Sequence, residues 1–102
     1  MSVRNLRQLF QPRSVAIVGA SGKPHTVGST VLRNVLAGGF AGPVYPVNPK
    51  YDRLQGVTTY ADVADLPQAP ELAVICTPAA TVPAIVRKLG ARGTRAAIVV
   101  TA

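Results

Sequence analysis

Residues Ser14–Gly28 read SVAIVGASGKPHTVG, and the fold turns on them. Val15, Ala16, Ile17 and Val18 extend Ser14 into a short apolar run rich in β-branched residues, which reads as a buried strand. The run stops at Gly19 and passes into the small residues Ala20, Ser21 and Gly22. After Gly28 the apolar spacing becomes helical. A strand, a small-residue loop and a helix start, in that order, form an anion site. Glycines let backbone N–H groups approach the ligand, and the helix dipole favours negative charge there. The stretch predicts a mononucleotide-type α/β domain built around its loop.

The flanking sequence repeats the alternation. VRNLRQLF at 3–10 spaces Val3, Leu6, Leu9 and Phe10 for a short helix that Pro12 stops. Val27, Val31, Leu32, Val35 and Leu36 share one helical face over 27–37, with Gly38-Gly39 as a left-handed stop. A second strand is expected at Pro43–Val47, where Pro46 calls for a locally free edge. Residues 51–70 read as an extended piece near Val57–Thr59 and a helical turn at 61–66, with Pro67 and Pro70 as breakers. Leu72–Cys76 is a third apolar strand. A helix over 80–89 follows, ended by Gly90 and Gly93, and then a strand at 96–100. Strands apolar throughout, alternating with amphipathic helices, predict a parallel sheet of about four to five strands with helices on both faces. The stop soon after the last strand reads as a piece of a longer protein.

A chain of 102 residues holds one small domain, 1–102, and 48% hydrophobic residues can build its core. No run is long enough to cross a membrane, and the N-terminus lacks the apolar stretch of a secretion signal. A lone Cys76 excludes an internal disulfide and fits a reducing, cytoplasmic setting. The formal charge of +7 favours an anionic partner. Its cations are split between Arg4, Arg7 and Arg13 at the front and Arg87, Lys88, Arg92 and Arg95 near the end. They do not interleave with the few aromatics, which argues against nucleic acid.

Ligands of an open parallel sheet sit beyond the carboxyl ends of its strands. That places the candidate site at Gly19–Gly28, Asn48–Lys50, Thr77–Ala79 and the residues after Thr101. The dinucleotide fingerprint G-x-G-x-x-G fails, since Ser21 and Pro24 occupy its second and third glycine positions. The second strand ends in Val47-Asn48-Pro49-Lys50, neutral then basic, where an NAD site would place an acid. Asp52 keeps NAD open as a minor option. The spacing for a Walker A lysine is also missing. The residues alone point to a phosphorylated nucleotide and leave its kind open.

The segments LFQPRSVAIVGAS, NVLAGGFAGPVYPVNPK and LPQAPELAVICTPAATVP, in this order and spacing, resemble the CoA-binding domain of ADP-forming acyl-CoA synthetases. That domain is Rossmann-like and related to the α subunit of succinyl-CoA synthetase. It also opens synthetase-like proteins fused to a GNAT acetyltransferase. The resemblance implies coenzyme A or acyl-CoA as ligand. It implies that Gly19, Ala20 and Ser21 cradle the phosphates while Val27 and Gly28 open the supporting helix. Val47, Asn48, Pro49 and Lys50 would border the adenosine, and Thr77, Pro78 and Ala79 would line the wall toward the pantetheine. The phosphohistidine and ATP-grasp parts of such synthetases lie outside this sequence. No catalytic residue or metal ligand is therefore assigned here, and the remaining domains or a subunit of the parent are the expected partners. A regulatory or assembly module without ligand is the contrasting expectation.

Single residues weigh as follows. His25 reads as a solvated loop histidine. Cys76 reads as a buried strand end. Ser21 has no base nearby in sequence and reads as an anion donor, not a nucleophile. Lys50 sits where a phosphate partner belongs, Lys23 less so. Arg87, Lys88, Arg92 and Arg95 read as a solvated face.

Overall fold

Strand β1, Val15–Val18, is buried at all four positions because it lies in the middle of a sheet covered on both sides. The computed structural model describes residues 11–100; the helix expected over 3–10 and the residues from 101 lie outside them. Helix α1 (Val27–Ala37) follows, then β2 (Val44–Val47) and a hairpin of β3 (Arg53–Leu54) and β4 (Val57–Thr58). A single 3-10 turn, Val63–Asp65, leads to β5 (Leu72–Ile75). A second, Ala79–Thr81, runs into α2 (Val82–Arg92), and β6 (Ala96–Val99) closes the series. The main sheet is four-stranded and parallel, in the order β2-β1-β5-β6.

Alternation along the strands sorts the core into two layers. Val15, Ile17, Leu72 and Val74 pack with Leu32 and, at the margin, Val31, Val35 and Leu36 of α1. Ala16, Val18, Ala73 and Ile75 pack with Leu89 of α2 and with Val63 and Leu66. Leu32 and Ile17 are fully buried. Truncating Leu32 to alanine would cost about 2–5 kcal/mol in lost burial and cavity.

Pro46 sits on an edge strand, as its missing N–H requires. Its carbonyl accepts from Tyr60 N at 2.9 Å, so that side of the residue faces away from β1. Asn48 N in turn donates to Tyr60 O at 2.8 Å, and the Tyr45 and Tyr60 rings meet edge-on at 5.9 Å. Tyr60 thus covers part of the β2 margin.

Three expectations need correction. Arg53 to Thr58 forms a hairpin, of which the sequence showed only the second half. Its turn is Gln55-Gly56 at φ 49° and 81°, the doubly left-handed geometry of the tightest hairpins. Helix α2 runs through Gly90 to Arg92 and ends at Gly93, φ 101°. After α1 it is Gly39, φ 76°, that turns left-handed, while Gly38 stays near −74°.

The opposite sheet edge is unlike the rest. β6 is only partly buried at Ala96 and exposed at Ala97, Ile98 and Val99. Ile98, Val99 and the nearby Val86 of α2 are 40–45% exposed.

Candidate functional site

The chain leaves β1 for α1 on one face and β5 for α2 on the other, so β1 and β5 diverge above the sheet. Such a switch point opens a crevice at the strands' carboxyl ends. Gly19 stands at its base. Its N–H donates to Val47 O at 2.9 Å, and Cys76 N donates to Val18 O at 2.7 Å, which ties the three strand ends together. Gly19 has φ +90°, and a Cβ there would lie 2.9 Å from Thr77 Cγ2 and 3.0 Å from the Cys76 carbonyl. Gly28 is tighter still: a Cβ would fall 2.0 Å from Gly19 O. Helix α1 therefore begins in direct backbone contact with the end of β1. Gly19 and Gly28 perform the tight-turn and close-packing duties of the first and last fingerprint glycines, across a longer loop.

Within that loop Ser21 Oγ accepts from Lys23 N at 3.0 Å. Thr26 caps α1, accepting from Ser29 N at 3.3 Å and donating to Lys23 O at 2.9 Å. Lys23 and His25 are exposed, with His25 at φ 66°. Ala20 is fully buried in the core, so only its backbone faces the loop. Asn48 links this loop to the next: Nδ2 donates to Ala20 O and Oδ1 accepts from Lys50 N, both at 2.9 Å. Lys50 and Pro49 are exposed beside it.

An open crevice of about 260 Å³ gathers Gly19, Val47, Asn48, Pro49 and Thr77 from the expected site. Its floor is apolar, from Val18, Val47, Val63 and Ile85. Ala20, Ser21, Val27, Gly28, Lys50, Pro78 and Ala79 are not part of its lining. Pro78 and Ala79 are exposed at the turn that enters α2. The volume lies just below the range of roughly 300–1,000 Å³ typical of small-molecule sites. It has room for one ring or arm of a ligand.

Sequence reasoning missed the far wall, formed by Ala61, Asp62, Thr81 and Lys88. Lys88 Nζ lies 3.0 Å from Asp62 Oδ1, an exposed ion pair joining α2 to the 3-10 turn. Arg92 donates to the carbonyls of Val63 and Leu66 at 2.9 and 2.8 Å. Two of the four cations read as a solvated face are therefore structural ties. Asp62 also accepts from Ala64 N at 2.9 Å. That bond, then the one from Lys88, holds the carboxyl below its ordinary range. The one local signal was Asp62 placed to cap a turn; its pairing with a residue 26 positions away is a product of packing. Thr81 Oγ1 lies 2.6 Å from Thr77 Oγ1 and 2.7 Å from Pro78 O, bracing the β5 loop against α2. Cys76 is half-buried, and burial pushes its thiol up, away from the thiolate a nucleophile would need.

A sequence profile for the family described as the CoA binding domain matches residues 13–102. The chain belongs to that family. This CoA-binding domain is 40% identical, over 99% of its length, to a trans-feruloyl-CoA synthase from an unknown prokaryotic organism. It is 36% identical over 98% of its length to an ADP-forming acetate–CoA ligase of Archaeoglobus fulgidus. It spans 14% and 15% of those two relatives. The acetyl-coenzyme A synthetase 1 of Ca. Korarchaeum cryptofilum, solved with phosphate and ADP, superposes with a TM-score of 0.90 at 42% identity. The match covers 95% of this domain and 21% of that protein. The domain thus has the Rossmann-like α/β fold and stands among the CoA-binding domains of ADP-forming acetyl-CoA synthetase-like proteins. Among the described residues, no helix is long and apolar enough to cross a membrane.

Proposed function

We propose that this chain holds coenzyme A or acyl-CoA for a larger ADP-forming acyl-CoA synthetase, whose reaction converts acyl-CoA, ADP and phosphate to acid, CoA and ATP. One observation carries the reading: the carboxyl-end loops of β1, β2 and β5 are bonded into one site, in a chain that matches the CoA-binding family almost from end to end. The donor chemistry fits the ligand. The backbone amides of Ala20 and Ser21, in the loop that Gly19 opens, and the start of α1 at Val27 and Gly28 suit a pyrophosphate. The exposed ammonium of Lys50 suits a ribose phosphate, a place where an NAD site would carry an acid. The apolar floor accepts a ring or arm between Val47, Asn48 and Pro49 on one side and Thr77 on the other, with Pro78 and Ala79 exposed just outside the crevice for the rest of the ligand to pass.

Bound CoA supplies the thiol that takes up or releases the acyl group. The chain's own residues bind and orient it, and the acyl chemistry belongs to other parts of the parent. The named relatives are CoA ligases and synthases, which favours a synthetase over the fused acetyltransferase. A cytoplasmic location and docking to further domains or a subunit belong to the same proposal. Calorimetry on the chain with CoA and with NAD tests it. Binding of CoA with NAD silent is the expected result; tight NAD binding without CoA binding overturns the proposal.

A further inference from the structure

Asn48 spends both ends of its carboxamide inside the protein. Oδ1 accepts from Lys50 N and Nδ2 donates to Ala20 O, each at 2.9 Å. Its own N–H donates to Tyr60 O. One N–H and one lone pair remain for a ligand, but the two bonds inside the protein give this residue a part that a direct contact does not account for. The bond to Ala20 O has a geometric consequence. The peptide between Ala20 and Ser21 is trans, as are all peptides among the described residues. In a trans peptide the C=O and the following N–H point in opposite directions. Holding the carbonyl toward Asn48 therefore aims the Ser21 N–H away from it. Among the described residues that N–H donates to no protein acceptor.

We infer that Asn48 is a positioning residue that fixes the Ala20–Ser21 peptide plane, so that the Ser21 amide meets the ligand's pyrophosphate. The inference rests on the CoA-binding reading and assigns Asn48 a part distinct from bordering the adenosine. Only a carboxamide satisfies both neighbours, one a donor and one an acceptor. A carboxylate of the same shape would place an oxygen against the Ala20 carbonyl and repel it. With the tie gone, the peptide can rotate and the amide is no longer held ready. The order set by the bond is then provided by the ligand.

The experiment titrates wild type, Asn48→Asp and Asn48→Ala with CoA, ADP and adenosine, by calorimetry and by ¹H–¹⁵N NMR. Both variants should bind CoA and ADP about tenfold or more weakly, the scale of one lost charge-assisted hydrogen bond. Adenosine, which carries no phosphate, should bind all three proteins alike. In wild type the Ser21 amide resonance should move on adding ADP. The wild-type NMR titration does not depend on how well either variant folds. A Ser21 amide that stays still at saturating CoA, or variants that bind CoA within twofold of wild type, overturns the role of Asn48 alone. An equal loss for adenosine and ADP does so too, since it marks a general loosening of the site. Wild type that binds no CoA at all overturns the underlying function, and the Asn48 role with it.

Discussion

Replacing Gly28 by alanine adds one methyl where α1 meets β1. The new Cβ would stand 2.0 Å from Gly19 O, a backbone atom held in place because the Gly19 N–H is bonded to Val47 O. Relief requires the helix start to retreat by roughly an ångström, since carbon and oxygen in such contacts rest near 3.3 Å. Overpacking of this kind costs up to about 3 kcal/mol, and the better helix propensity of alanine returns about 1 kcal/mol. The net loss is about 2 kcal/mol, which lowers Tm by about 8–16 °C in a domain this size. Gly90→Ala is the internal control. It lies within α2 with nothing inside 4 Å of its Cβ position, so the same chemical change should raise stability, by about 0.5–1 kcal/mol. Urea unfolding of wild type and the two variants, checked for a constant m-value, measures both effects. If Gly28→Ala matches wild type, or if the two variants shift the same way, the tight seam between α1 and β1 is refuted.

Other consequences can be measured on the same protein. Ser21→Asp keeps an oxygen for Lys23 N to bond but puts a negative charge in the loop; CoA affinity by calorimetry should fall at least about tenfold with Tm little changed. The folded-state pKa of Asp62 lies below the ordinary 3.8, so its contribution is present above that pH and is lost as pH falls through the folded value. Asp62→Ala should therefore destabilise by about 1 kcal/mol at pH 7, mostly through the lost cap. The gap to wild type should narrow in melts as the pH falls below 3.8 and through the folded value. Cys76 should react with iodoacetamide at pH 8 more slowly than the same thiol in urea, because burial raises its pKa above 9.0; equal rates would contradict its half-buried place.

The sheet was legible because its two central strands, VAIV and LAVI, are buried on both faces and so read as unbroken apolar runs. Pro46 announced its edge strand, and the helix stripes appeared at Val27–Ala37 and around Ile85 and Leu89. The hairpin at Arg53–Thr58 was not legible. Its strands are two residues each, too short for a period, and Gln55-Gly56 is not among the strongest turn pairs. The site was half legible. Loops at strand ends can be located once the strands are known, which gave Gly19, Asn48 and Thr77. The Asp62–Lys88 wall depends on where α2 comes to rest, and no local pattern carries that. Gly28 was marked at the helix start, but its close packing on the end of β1 was not legible from the motif. The fingerprint fixes spacing, whereas the physical need is for bare backbone at the point of contact, and a longer loop delivers it nine residues on from Gly19.

Among the described residues the outer flank of β6 has no partner strand, and that bears on the protein's behaviour at the bench. Its outer row of amides and carbonyls is bordered by Ile98, Val99 and Val86, an adhesive margin that any extended polypeptide can dock onto. Concentrated samples of this polypeptide by itself will tend to stick to one another along that seam, and a lysine in place of Val99 is the simplest way to keep them apart.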